Sequence, residues 1–264
     1  MRDFTLEMYK ILLTELIKTK YKFITFAEFI QNNTNTGKII ILRHDVDRLP
    51  EQALKMAEIE HEMGVKTTYY FRCQPNGFEM NFIKDIAALG YEIGYHYETM
   101  DSSRGNIENA FNEFKKNLEK LRKLVPVSTI CMHGSPRSKF NNRDLWSKYD
   151  YRDFEIIGEP YFDLDYNMVL YLTDTGRCWN GNSVSLRDKI VSASGLHRQY
   201  LFKHTTDVID AVKAGRFPNQ SMLTVHPQRW TDNYVLWIKE LVWQKTKNPL
   251  KYLKLKRMGK INKK

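Results

Sequence analysis

KIIILRHDVD, residues 38–47, decides the fold. Its first half is a short, continuous, β-branched run that follows Gly37. That is the pattern of a strand buried on both faces, and such strands belong to parallel sheets covered by helices. Its second half turns abruptly polar, with Arg43, His44, Asp45 and Asp47. The same change recurs downstream. TTYYF (67–71) runs into Arg72, and residues 91–95 into His96 and Glu98. STICM (128–132) runs into His133, residues 169–173 into Asp174, and SMLTV (221–225) into His226. Residues 155–157 read as one further short strand. Helices are predicted over 4–20, from Pro50 to Gly64, and over 82–89, 107–124, 141–148, 205–214 and 230–243. Alternating strands and helices predict an α/β fold with parallel strands, either a barrel or a doubly wound sheet. No Gly-x-Gly-x-x-Gly follows a strand and no phosphate-binding Gly-Lys-Ser/Thr loop occurs, so a nucleotide-binding doubly wound sheet has no support.

Composition bounds the function. The chain has 264 residues, 42% hydrophobic and 13% aromatic, which suits a packed core and excludes a disordered chain. Cys73, Cys131 and Cys178 are too few for a disulfide framework and show no Cys-x-x-Cys spacing, so a reducing compartment fits. The 41 basic and 31 acidic residues give a net charge of +10. Residues 245–264 carry nine of the basic residues and no acidic one, which leaves 32 basic against 31 acidic in the remainder. The body is nearly neutral, so charge does not argue for nucleic acid. The basic tail is either a solvated terminus or an amphipathic segment lying on an anionic leaflet. No secretory signal and no spanning segment is visible, so a cytoplasmic protein is expected, with contact to the inner membrane face through the tail as the alternative. The expected organisation is a helical extension over 1–37, a barrel over 38–244 and the tail over 245–264.

Strand-end residues of a parallel barrel share one rim, where such folds place their sites. Asp45 and Asp47 are two apart and leave an extended segment on the same side, as do His96 and Glu98. Two adjacent carboxylates repel unless a proton or cation intervenes. A carboxylate with imidazoles and an open position suits zinc or another first-row metal, and the second carboxylate is then free to act as a base. The competing reading of Asp45-Val46-Asp47 is a turn that caps the next helix.

RHDVD (43–47), EIGYH (92–96) and LTVH (223–226), in order and at strand ends, resemble the motifs of polysaccharide deacetylases, carbohydrate esterase family 4. The likeness spans about residues 38–240 and is nearest to a bacterial branch associated with surface polysaccharide and O-antigen synthesis. It implies a distorted, incomplete (β/α) barrel of the NodB type that removes an acyl group from an N-acylated sugar with a divalent metal, zinc first. It implies Asp45 as base, Asp47 and His96 as metal ligands, and His226 as the acid that protonates the leaving amine. The family's next histidine falls at Met100, a poor ligand for such a cation. His133 is the first choice for the third ligand and Glu98 the rival. The family's base-orienting arginine is unmatched, and Arg43, Arg72 and Arg137 are the candidates for its role. Asp174 and Trp179 stand where the family has an Asp-and-Trp motif. Trp146, Trp230 and Tyr161 either stack on sugar or pack the core. Met100 also leaves open a catalytically silent carbohydrate-binding member, and the tail leaves open a membrane-surface partner protein.

Overall fold

The computed structural model describes residues 2–32, 36–73, 77–134, 138–179 and 199–257. Helix α1 (Leu6–Lys18) leads into β1 (Lys22–Ile24) and α2 (Phe26–Asn32). The decisive stretch forms β2 (Ile39–Val46), followed by α3 (Pro50–Glu62), β3 (Thr68–Phe71), α4 (Met80–Ala88) and β4 (Glu92–Tyr97). Then come α5 (Thr99–Ser102), α6 (Ile107–Arg122), β5 (Ile130–Met132), α7 (Pro160–Asp163) and β6 (Leu170–Thr173). The last elements are α8 (Thr205–Lys213), β7 (Gln220–Val225) and α9 (Tyr234–Arg257).

Among the described residues seven strands form one sheet, six of them in the order β5-β4-β3-β2-β7-β6 with β1 beside β2, and every pairing is parallel. One edge of β2 is shared: β1 pairs with Ile39–Ile41, and β3 with Arg43–Val46. Among the described residues β5 and β6 do not pair, so the sheet curls into an incomplete barrel. The α/β class with parallel strands is as expected.

Alternation along the strands builds two surfaces. Ile39 and Ile41 face into the curl, where they meet Ile24, Tyr70, Cys131, Tyr171 and Met222. Ile40 and Leu42 face outward and pack with Leu12, Leu13 and Leu16 of α1 and with Val208 and Val212 of α8. On the other flank Phe114, Leu118 and Leu121 of α6 cover Ile93, Tyr95 and Ile130. Thr5 caps α1 by accepting from the Met8 N–H, and Asn106 caps α6 by accepting from Asn109. Gly94 is required inside the curl, because a Cβ there would stand 2.3 Å from the Tyr70 ring.

His44, between the inward residues Arg43 and Asp45, points the other way and anchors a buried polar cluster. Its Nε2 lies 2.7 Å from Glu60 Oε1, and its ring stacks on Tyr69 at 4.4 Å. The Tyr69 hydroxyl donates to Glu60 Oε2 at 2.8 Å, and the Tyr9 hydroxyl donates to Glu60 Oε1. All four side chains are fully buried and tie α1, α3, β2 and β3 together.

Several elements differ from expectation. Residues 1–37 are more than a helical extension, because β1 is a strand of the sheet. Its three residues are too few to show a period. Residues 142–147 form a 3-10 helix in place of an α-helix. Residues 155–157 do not form a strand. Glu155 sits in the left-handed region at φ 57°, and only Gly158 makes a bridge, to Thr129. The last helix starts later and runs further than 230–243. A 3-10 turn at Pro227–Arg229 precedes it, and Asn233 Oδ1 accepts from the Val235 and Leu236 N–H groups. The helix then passes Pro249 and takes in the first part of the basic tail.

Candidate active site

The inward row of β2 continues past Ile41 to Arg43 and Asp45, with Asp47 just beyond the strand end. The inward rows of other strands bring His96 from β4, Cys131 and then His133 from β5, and His226 from β7 to the same rim. Arg43 and Asp45, two apart on one strand, form a fork: Arg43 Nε donates to Asp45 Oδ1 and Nη2 to Oδ2, both at 2.7 Å. Burial opposes the charge on Asp45, but Arg43 and His96 outweigh it and hold its pKa below the usual carboxylate value. Arg43 therefore orients the candidate base. Arg72 instead forks Glu98, and Arg137 lies outside the described residues.

Asp47 Oδ1 is the point of convergence. His96 Nε2 lies 3.7 Å from it and His133 Nε2 3.5 Å. A cation with bonds of about 2.1 Å in a tetrahedral shell holds its donors roughly 3.4 Å apart. The chemistry of the donors also fits a cation. His96 Nδ1 is 3.0 Å from the Cys131 carbonyl, which can only accept, so Nδ1 carries the hydrogen and Nε2 a lone pair. Burial pushes His96 down to about 4, against the pull of Asp45, so the ring is neutral at pH 7. Its lone pair then faces a carboxylate oxygen, acceptor to acceptor, and a cation between them resolves the mismatch.

His133 reaches the site because β5 is the neighbour of β4, with His96 in register with Cys131. Its Nδ1 lies 3.0 Å from Glu98 Oε2, and Arg72 holds the same carboxylate. A carboxylate behind an imidazole fixes the ring and strengthens it as a ligand. This gives Glu98 a supporting position behind His133. Burial disfavours the His133 cation, yet Asp47 and Glu98 prevail and raise its pKa. Met100 packs in the core at 6% exposure. Asp45, His96 and Cys131 also bring ligand atoms within 4.8 Å of one another. Among the described residues this is the one such group of three, although both Asp45 oxygens are also held by the Arg43 guanidinium, whose charge would oppose a cation there.

Across the rim, His226 is backed by Asp174. Its Nδ1 is 2.6 Å from Asp174 Oδ1, and its backbone N–H donates to Oδ2 at 2.9 Å. Arg229 pairs with the same carboxylate, and the Trp230 indole donates to Oδ2 at 2.8 Å. His226 Nε2 faces Asp47 Oδ2 at 4.0 Å, where Gln228 also donates at 3.3 Å. Gln228 and Arg229 escaped sequence reasoning, and Trp230 was expected to stack on sugar or pack the core rather than to hold Asp174. The available signal was HPQRW, three hydrogen-bonding side chains directly after a strand-end histidine. Trp179, expected near Asp174, is buried against Trp230 and donates to Thr205, so it offers no face to a sugar. Trp146 packs against Phe114 and Tyr151. Tyr161 lies between Arg43 and Arg143.

Against the upward push of burial, Arg229 and His226 hold Asp174 down to about 2. A depressed carboxylate adds stability that is full above the unfolded pKa and lost as pH falls through the folded one. Acid unfolding should therefore steepen between about pH 4 and 2, with roughly 2 kcal/mol lost through this group. In Asp174→Asn that component should vanish from denaturant titrations, and an unchanged acid slope would refute the assignment.

The chain is similar in structure to domains of the CE4 family. One solved match is a CE4 family pseudoenzyme from Bacillus anthracis, at 15% identity and a TM-score of 0.43, covering 82% of this chain and 62% of that one. A mutant CE4 family pseudoenzyme aligns at 16% and 0.44, covering 82% and 64%. The CE4 domain of a multidomain xylanase from the hindgut metagenome of Trinervitermes trinervoides aligns at 13% and 0.39, covering 79% and 81%. The chain thus spans somewhat under two thirds of the length of the pseudoenzyme structures. No family model and no curated protein matches. At these distances the chemistry of the site is read from its own atoms.

Proposed function

We propose that the protein is a metal-dependent hydrolase that removes an acyl group, acetyl first, from an N-acylated sugar in surface polysaccharide or O-antigen synthesis. The convergence of His96 Nε2 and His133 Nε2 on Asp47 Oδ1, beside a forked Asp45, is the observation that carries this reading. Asp47, His96 and His133 would hold the cation. When bound it supplies Lewis acidity, polarising an amide carbonyl and acidifying a water. Asp45, kept ionised by Arg43, takes the proton of the attacking water. His226 delivers a proton to the departing nitrogen, and Asp174 stabilises its imidazolium form. Water adds to the carbonyl carbon, the C–N bond breaks, and a carboxylate and an amine leave.

Acetate release from N-acetylated oligosaccharides, lipid-linked sugars and nucleotide sugars tests the reading, with and without chelator. The expected result is release from at least one class, abolished by chelation and restored by zinc or another first-row ion. No bound metal and no release from any class would replace it with a silent carbohydrate-binding member that has lost the metal site.

A further inference from the structure

Helix α9 is turned inside out for a helix of a water-soluble body. Its inward face is polar: Glu240 and Gln244 are buried, and the Asn248 side chain donates to the Gly176 carbonyl. Trp237 is the aromatic anchor on that side and donates to the Asp3 carbonyl at 2.7 Å. Its outward face exposes apolar side chains among Lys239, Lys245 and Thr246. Val235 is 58% exposed, Ile238 36%, Val242 55% and Trp243 41%. Spacings of three and four place Val235, Ile238 and Val242 on one stripe. Among the described residues these side chains stay exposed.

The charge of the sequence names the occupant. Residues 245–264, which begin on this helix, carry nine basic residues and no acidic one, while the rest of the chain is close to neutral. An apolar stripe followed directly by concentrated positive charge matches an anionic bilayer surface: acyl boundary for the stripe, headgroups for the lysines. A nucleic acid would use the charge and leave the stripe exposed. A second copy would cover the stripe and set two basic segments against each other if the helices ran parallel. No helix among the described residues is long and apolar enough to cross a membrane, so the contact is peripheral.

We infer that α9, with the basic residues that begin on it, docks the protein on an anionic lipid surface. The surface adjoins the active site. A cavity of about 350 Å³ is lined by Lys239, Glu240 and Trp243 of α9 and by Gln228, which donates to Asp47. The inference rests on α9 and the charge of residues 245–264, whatever reaction the rim performs.

Co-sedimentation of the full chain with vesicles is the test. Phosphatidylcholine vesicles containing phosphatidylglycerol should bind it, with pure phosphatidylcholine at least about tenfold weaker and high salt weakening the contact. The exposed triple substitution Val235→Ser, Ile238→Ser, Val242→Ser should lower partitioning about tenfold while circular dichroism stays unchanged. Equal binding to neutral vesicles, no binding at all, or an unaffected triple variant would overturn the inference. So would a dimer in sedimentation equilibrium that the triple variant dissolves, or an oligonucleotide that binds while anionic vesicles do not.

Discussion

Asp45→Asn is expected to lower turnover about a thousandfold, the range for loss of a positioned general base, while metal content stays at the wild-type level. The amide keeps the shape of the carboxylate but cannot take a proton at neutral pH. It also leaves Arg43 with one acceptor where it now has two, in a site where both side chains are nearly inaccessible. A modest fall in thermal stability should therefore accompany the kinetic loss. Steady-state rates, metal analysis and a melting curve on one preparation separate the effects. Loss of metal with the activity would make Asp45 a ligand, and unchanged turnover would remove it from the chemistry.

The second large effect is on folding. Glu60→Ala should cost about 3–5 kcal/mol, because it leaves His44, Tyr9 and Tyr69 with unpaired polar groups in the core. For a chain of this size that corresponds to a melting temperature lower by roughly 10 °C. Burial, then Glu60, already pushes the Tyr9 and Tyr69 hydroxyls well above their usual range, so both stay protonated and donate to the carboxylate. Replacing Glu60 and His44 together with Met and Phe should cost less than Glu60→Ala, since volume is kept and His44 no longer stands unpaired, although the Tyr9 and Tyr69 hydroxyls still lose their acceptor. A loss below about 1 kcal/mol for Glu60→Ala would show that water or a rearranged side chain takes over.

The strand-end histidines and carboxylates were legible because a buried parallel strand announces itself by an unbroken apolar run, and its polar end is conspicuous. Adjacency was legible too. β5 follows β4 with no strand between them, which put His133 within reach of His96. The fork from Arg43 to Asp45 had a signal as well, since residues two apart share a face. Sequence offered three arginines, and only the packing excluded Arg72, which is spent on Glu98. The opposite parity of His44 was equally readable, but its partner Glu60 lies on a helix whose rotation the sequence leaves open. Strand β1 was lost because three residues carry no period. The pairing of Asp174 with Trp230, in place of Trp179, depends on the turn after β7, where a hydrogen bond closes across more than fifty residues.

Metal stoichiometry is the most direct measurement of the central claim, that Asp47, His96 and His133 form one metal centre. Elemental analysis after zinc loading and desalting should find about one ion per wild-type chain and close to none in His133→Ala, with Met100→Ala retaining its metal. A full complement in His133→Ala, or none in the wild type, would contradict it.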